Sequence, residues 1–191
     1  MSIAELQKTT LEELLASTDR GRYELEHGLL VEVPVGNLAS AVGSRLNARL
    51  QIHCETMGLG ESFNSEQYYR CFGDDDHARK PDASFIRKSR LPPGWIRQGY
   101  FEIAPDLAVE VTSINDIVRN MEEKVDEYLD AGIPLVWVIH PEARTAMIYR
   151  GDGSVQRLHE QDALQGEDIL PGFQVRLGDL IPTEDRTPQA S

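Results

Sequence analysis

The sequence predicts an α/β (α+β) fold: a mixed central sheet flanked by helices, with a hairpin near each end of the chain. Three observations point to it. A strand, a helix and a wholly apolar strand follow one another across residues 106–140, the order of a right-handed crossover between parallel neighbours. The segments RYELEHGLLVEV and RTAMIYRGDGSVQRLHE each read as two strands about a tight turn. Leu38, Val42, Leu46 and Leu50 recur every four residues and define one apolar helical stripe.

Each element follows from local pattern. Thr10 begins a short helix: Glu13, three residues on, completes a capping box, and Leu11, Leu14 and Leu15 give one apolar face. The first hairpin spans residues 22–33 and ends at Pro34. The long helix covers 38–57, with Gly58 as its C-terminal cap. Residues 61–72 alternate loosely and read as one strand before the turn GDDD, and 81–87 reads as another. The Pro- and Gly-rich LPPGWIRQGYFEIAP is a loop of a length that often carries function. After the strand at 106–112, Asn115 or Asp116 caps a helix to Ala131, which Gly132 and Pro134 close. LVWVIH, 135–140, has no polar alternation and is expected to be buried on both faces. FQVRL is a late strand, and residues 183–191 read as a disordered tail, so one domain is expected over 1–182.

Composition limits the function. The chain has 191 residues, 40% hydrophobic and 27% charged, which suits one soluble domain with a sizeable core. No apolar run reaches the roughly 20 residues that span a bilayer, and MSIAELQKTT is not a secretion signal, so a cytoplasmic protein is expected. Cys54 and Cys71 have no metal-type spacing and read as reduced thiols. A net charge of −13 counts against a broad nucleic-acid-binding surface. It leaves room for a local basic patch in RKPDASFIRKSR, where Arg79, Lys80, Arg87 and Lys88 are candidate DNA contacts; the alternative is a solvated strand edge.

The chemistry starts from PDLAVEVTSINDI, in which an apolar strand carries one carboxylate, Glu110. A buried carboxylate is costly unless paired, protonated or holding a metal. Alternation puts Glu110 on a face with Ala108 and Thr112, opposite a core face of Leu107, Val109 and Val111. Asp82 follows Pro81 at the start of its own strand. If the two strands are neighbours, both carboxylates converge on a hard-oxygen site suited to Mg²⁺ or Mn²⁺. On the following helix, Ile117, Val118, Met121, Val125, Tyr128 and Leu129 share one arc, and Glu122, Glu123, Asp126, Glu127 and Asp130 the other. Lys124 falls on the apolar arc, where it either snorkels to water or meets a carboxylate such as Glu110.

Asp82 in RKPDASFI followed by Glu110 in PDLAVEVTS resembles the P-D…(D/E)-x-K signature of the restriction-endonuclease-like superfamily. With YELEHGLLVEV, EKVDEYLDAGIPLVWVIHPEARTAMIYR and LPGFQVRLGDL in order, nearly the whole chain resembles the Uma-two family of that superfamily. The resemblance implies a restriction-endonuclease-like core, Asp82, Glu110 and Lys124 as catalytic residues, and Mg²⁺ or Mn²⁺ held by Asp82 and Glu110. It also implies DNA as substrate, with a homodimer by analogy. The superfamily lysine lies two residues after the acid, where this chain has Thr112; in the Uma-like pattern it moves to the helix, and Lys124 matches. Glu24 matches a further acidic position that adds a ligand, the alternative being an exposed hairpin residue. The chain departs from the family at Leu38, at Ser113-Ile114-Asn115, at Asn120 and at His140.

Other groupings are weaker. Asp74, Asp75, Asp76 and His77 read as a solvated turn, and the other histidines lack zinc spacing. Trp95, Arg97 and Tyr100 either stack on bases or anchor their loop. The leading expectation is a metal-dependent DNA endonuclease. The alternative is an inactive nuclease-fold protein that binds nucleic acid or a protein partner.

Overall fold

A computed structural model describes residues 8–33, 36–113 and 118–183, apart from the side chains of 118–120. The chain runs α1 (Leu11–Ala16), β1 (Tyr23–Glu26), β2 (Leu29–Glu32), α2 (Asn37–Met57), β3 (Gly60–Asn64), β4 (Tyr68–Tyr69), β5 (Ala83–Arg87), β6 (Tyr100–Phe101) and β7 (Leu107–Val111). It continues through α3 (Val118–Asp130), β8 (Leu135–His140), β9 (Thr145–Arg150), β10 (Val155–His159), β11 (Ala163–Gln165) and β12 (Gln174–Arg176). Six strands form the central sheet in the order β10-β9-β8-β7-β5-β3. The β7–β8 pair is parallel and the other pairs are antiparallel. This is the mixed sheet the sequence predicts, with the expected crossover through α3 at its centre.

Helix α2 covers one face of the sheet. Its stripe of Val42, Leu46, Leu50 and Cys54 is buried with Phe85, Val109, Trp137 and Ile139. Fully burying such side chains contributes about 1.5–3 kcal/mol each. The left-handed conformation that ends α2 falls on Gly58 (φ 63°), where no Cβ opposes it. Helix α3 covers the other face, placing Val125 and Tyr128 over Ala108, Val136 and Val138. Both faces of β7 are therefore core, not the one face its alternation suggested. The Thr10–Glu13 capping box is present. The small β1–β2 sheet is stitched to the body by reciprocal backbone hydrogen bonds between Leu25 and Ala78, 3.0 and 2.8 Å.

Two expectations change, and a third feature takes one of its two alternatives. Residues 61–72 form two short strands: a turn after Asn64 diverts the chain, and Tyr68–Tyr69 pairs in parallel with Tyr100–Phe101 outside the main sheet. FQVRL contributes only Gln174–Arg176, paired with the unforeseen β11. The Pro- and Gly-rich loop is tied down by its aromatics. Trp95 meets Phe63 edge-on at 5.7 Å, and the Tyr100 hydroxyl donates to Glu12 at 3.1 Å. Pro34, Asn115, Asp116 and nearly all of the C-terminal tail lie outside the described residues.

Both cysteines are free, and burial pushes each thiol up to about 12. The thiolate is the nucleophile. A disulfide reagent at pH 8 is therefore expected to titrate both only after denaturation, and stoichiometric reaction within minutes on the folded protein would contradict this packing.

Candidate active site

The β5–β7 register pairs Ala83 with Val109, Ser84 with Ala108 and Phe85 with Leu107. One step further along the same ladder, Asp82 stands opposite Glu110. Asp82 Oδ2 accepts a 2.7 Å hydrogen bond from the Val111 amide, which fixes the carboxylate at the end of β7. Behind it passes α2: a Cβ at Gly43 would meet the Asp82 Cβ at 3.9 Å.

Glu110 is buried. Its Oε1 accepts from the Tyr128 hydroxyl at 2.5 Å and lies 3.0 Å from the Lys124 amine. Tyr128 and Lys124 sit four residues apart on α3, so both reach down from one face. The Lys124 side chain is 12% exposed, and its amine also donates to Glu24 Oε1 at 2.9 Å. Lys124 thus meets carboxylates and does not snorkel. Glu24, on β1, is likewise buried.

Burial is the largest influence on these groups. It pushes the Glu110 carboxyl up to about 7, with the Asp82 and Glu24 carboxylates adding to the rise and Lys124 opposing it. The same burial would lower the Lys124 amine, but Glu110 and Glu24 outweigh it and hold the amine above its ordinary range. For Glu24, the desolvation cost is outweighed by Lys124 and Arg79, and its carboxyl stays below its ordinary value.

Asp82, Glu110, Lys124 and Glu24 all line one cavity of about 680 Å³. Its walls are the β1–β2 hairpin, α2 and the turn at 64–66. The α2 wall is small and uncharged, with Ala39, Ser40, Gly43, Ser44 and Asn47 facing inward.

The candidate DNA contacts divide. Arg79 and Lys80 are buried and committed to protein partners. The Arg79 guanidinium donates to Glu24 (3.2 Å), Glu26 (2.5 Å) and Glu127 (2.9 and 3.0 Å). The Lys80 amine donates to the Gly21 carbonyl. Arg87 and the exposed Lys88 lie at the other end of β5, about 17 Å from Asp82 at the usual strand rise. The basic run in the sequence is therefore not one continuous surface beside the acids.

Three participants are not legible in the sequence. In sequence Arg79 is a candidate DNA contact or a solvated strand-edge charge, yet it bridges β1 to α3. Tyr128 was placed on the apolar arc as core; a buried tyrosine hydroxyl requires a partner, and that was the available signal. Glu127, placed on the solvent arc, turns back to Arg79. Thr112, in the position of the superfamily lysine, faces the end of β8: its hydroxyl donates to the Ile139 carbonyl at 3.3 Å and lies 3.1 Å from His140 Nδ1. Leu38 packs against the core. Asp74 Oδ2 lies 2.9 Å from His27 Nδ1, while His77 departs from the solvated turn and is buried 3.2 Å from Glu127.

Among the described residues, no group of three or more His, Cys, Asp or Glu side chains is disposed to hold a metal ion. Asp82 and Glu110 offer two hard carboxylates, which is the number Mg²⁺ commonly takes from protein while retaining waters and substrate oxygens. The donor set fits such an ion on that basis.

A family model, Uma2, described as "Putative restriction endonuclease", matches residues 10–179. Among solved structures, the chain is similar to the "putative nuclease belonging to DUF820" from Anabaena variabilis. The TM-score is 0.77 at 22% identity, over 90% of this chain and 97% of that one. No curated protein matches.

Proposed function

This chain belongs to the Uma2 family, and from that premise we propose that it is a divalent-metal-dependent endonuclease that hydrolyses phosphodiester bonds in DNA. The observation that carries the proposal is the convergence of Asp82 and Glu110 from adjacent strands onto a cavity, with the Lys124 amine 3.0 Å from Glu110.

Asp82 and Glu110 would hold Mg²⁺ or Mn²⁺. The ion, when bound, polarises the scissile phosphate and lowers the pKa of a water. Lys124 orients that water and stabilises charge developing on the phosphate oxygens. Tyr128 fixes the Glu110 carboxylate, and the Val111 amide fixes Asp82. The burial of Glu24 and Glu110 and the low exposure of Lys124 keep these charges effective.

A second reading is favoured by charge. The cavity lining carries six acids against three cations, Arg79, Lys80 and Lys124, and each cation is already held by a protein oxygen. A phosphate backbone therefore meets little free positive charge. A nuclease-fold protein that binds a protein partner, with catalysis lost or dependent on that partner's basic surface, fits this balance.

Incubating the protein and its Asp82→Ala and Lys124→Ala variants with supercoiled plasmid and Mg²⁺ or Mn²⁺ separates the readings. The nuclease reading expects nicking by the wild type alone. Equal nicking by all three proteins would assign it to a contaminant. No nicking and no calorimetric metal binding would favour the binding protein.

The metal-site reading also has a pH signature. Metal binds the ionised carboxylate, and Glu110 is raised to about 7. Mn²⁺ affinity is therefore expected to fall as pH drops through 7, by up to about tenfold per unit, and to level off above it. Titration calorimetry in two buffers of different ionisation enthalpy checks this through the protons released; a flat profile from pH 5.5 to 8 would contradict it.

A further inference from the structure

We infer that Glu24 is a positioning residue that holds the Lys124 amine over Glu110 and is not itself a metal ligand. The inference rests on the proposed metal site but assigns Glu24 a role apart from it. Both Glu24 oxygens are already engaged. Oε1 accepts from the Lys124 amine at 2.9 Å and the Lys80 amide at 2.8 Å; Oε2 accepts from Arg79 at 3.2 Å. A carboxylate surrounded by two cations and an amide has its charge directed toward those donors. Recruiting it to a metal would uncover a partly buried lysine and leave part of the Arg79 guanidinium unmatched.

The surrounding residues fit an anchor. Arg79 is itself clamped by Glu26 and Glu127, so it cannot follow Glu24 toward a ligand, and Glu24 would lose that partner on turning away. The neighbouring Leu25 is fixed to Ala78 by two backbone hydrogen bonds, which hold the backbone beside Glu24 in place. By contrast, the contacts on Glu110 from Lys124 and Tyr128 both fall on Oε1. Lys124 is thus suspended between an anchored acid, Glu24, and an acid with a different duty, Glu110. Without Glu24 the flexible lysine stem has no second fixed point.

The test compares wild type, Glu24→Gln, Glu24→Asp and Asp82→Ala. Mn²⁺ affinity is measured by calorimetry, and acetylation of individual lysines by a water-soluble ester is followed by mass spectrometry. Mn²⁺ affinity in Glu24→Gln is expected to stay within about threefold of wild type, while Asp82→Ala loses at least about tenfold. Lys124 acetylation, normalised to the exposed Lys88, is expected to rise at least about tenfold in Glu24→Gln as the amine is released to solvent. Glu24→Asp keeps the charge but withdraws it by one methylene, so it shows the same rise in labelling and serves if the glutamine variant does not fold. A fall in Mn²⁺ affinity matching Asp82→Ala would make Glu24 a ligand and overturn the inference. So would unchanged protection of Lys124 in both Glu24 variants. If the wild type neither cleaves plasmid nor binds Mn²⁺, the nuclease reading fails by itself and the labelling decides on Glu24.

Discussion

Replacing Arg79 with methionine is expected to lower folding stability by about 3–5 kcal/mol, the usual cost of removing one member of a buried ion pair. The reason lies in what remains. Arg79 is buried, with side-chain exposure of 6%, and serves three carboxylates on two elements: Glu24 and Glu26 of β1 and Glu127 of α3. Methionine fills much of the same volume, so little of the loss comes from a void. What is lost is the compensation for three acids, one of them fully enclosed. Set against the roughly 5–15 kcal/mol that holds a typical domain folded, this is a large fraction, and some variant protein would be unfolded at growth temperature. The effect has a pH signature. Glu24 and Glu127 both titrate below their ordinary value of 4.5, so their contribution is present above that pH and is lost as pH falls through the lower folded values. The difference between wild type and variant should therefore be full at pH 7 and shrink in strong acid. Urea denaturation at pH 7 and pH 3.5 measures both. A loss under about 1 kcal/mol at pH 7 would mean that the three acids reach water without Arg79.

Replacing Asp82 with asparagine is expected to separate activity from stability. The amide oxygen can still accept the Val111 N–H that Asp82 Oδ2 takes at 2.7 Å, so the end of β7 keeps its partner. The negative charge is gone, and with it half of the carboxylate pair proposed to hold the metal. Metal-dependent cleavage should fall by about 100-fold or more. Unfolding free energy should stay within about 1 kcal/mol of wild type. Glu110 should titrate below its present value of about 7, because one of the charges raising it is removed. Plasmid nicking, chemical denaturation and carboxyl-resolved NMR titration read the three consequences. Retained nicking in the variant would remove Asp82 from the metal site; a large loss of stability would mean that the asparagine does not keep the Val111 bond.

How much of this could be read in the sequence depended on whether the signal was local. Glu110 stood out because one carboxylate interrupted an apolar strand. Lys124 stood out because helical periodicity turned it inward among outward acids. Both are pattern arguments within one element; in the structure Glu110 is buried and Lys124 is partly buried, with its amine turned inward to Glu110 and Glu24. Bringing Asp82 to Glu110 required knowing that β5 and β7 are neighbours; the motif suggested this, and alternation alone could not. Arg79 fell outside the reach of such reasoning. In sequence it belongs to a basic run, and nothing nearby indicates that its partners lie 55 residues before it and 48 after it. Glu24 was ambiguous for the same reason: in a four-residue strand, which face is buried depends on what docks there. The splitting of residues 61–72 into two strands was equally hidden, because the turn after Asn64 carries neither glycine nor proline.

The β1–β2 hairpin has a further consequence for the order in which the protein is made. Glu24 leaves the ribosome with its acid side chain destined for burial, yet Arg79 follows 55 residues later and Lys124 100 residues later. Until both have emerged, docking the hairpin would enclose a carboxylate without a counter-charge. The hairpin can form early, but it has to wait at the surface while α2 and the central strands assemble. Its docking onto Arg79 and Lys124 is then expected late in synthesis, and the same event adds the hairpin wall of the cavity.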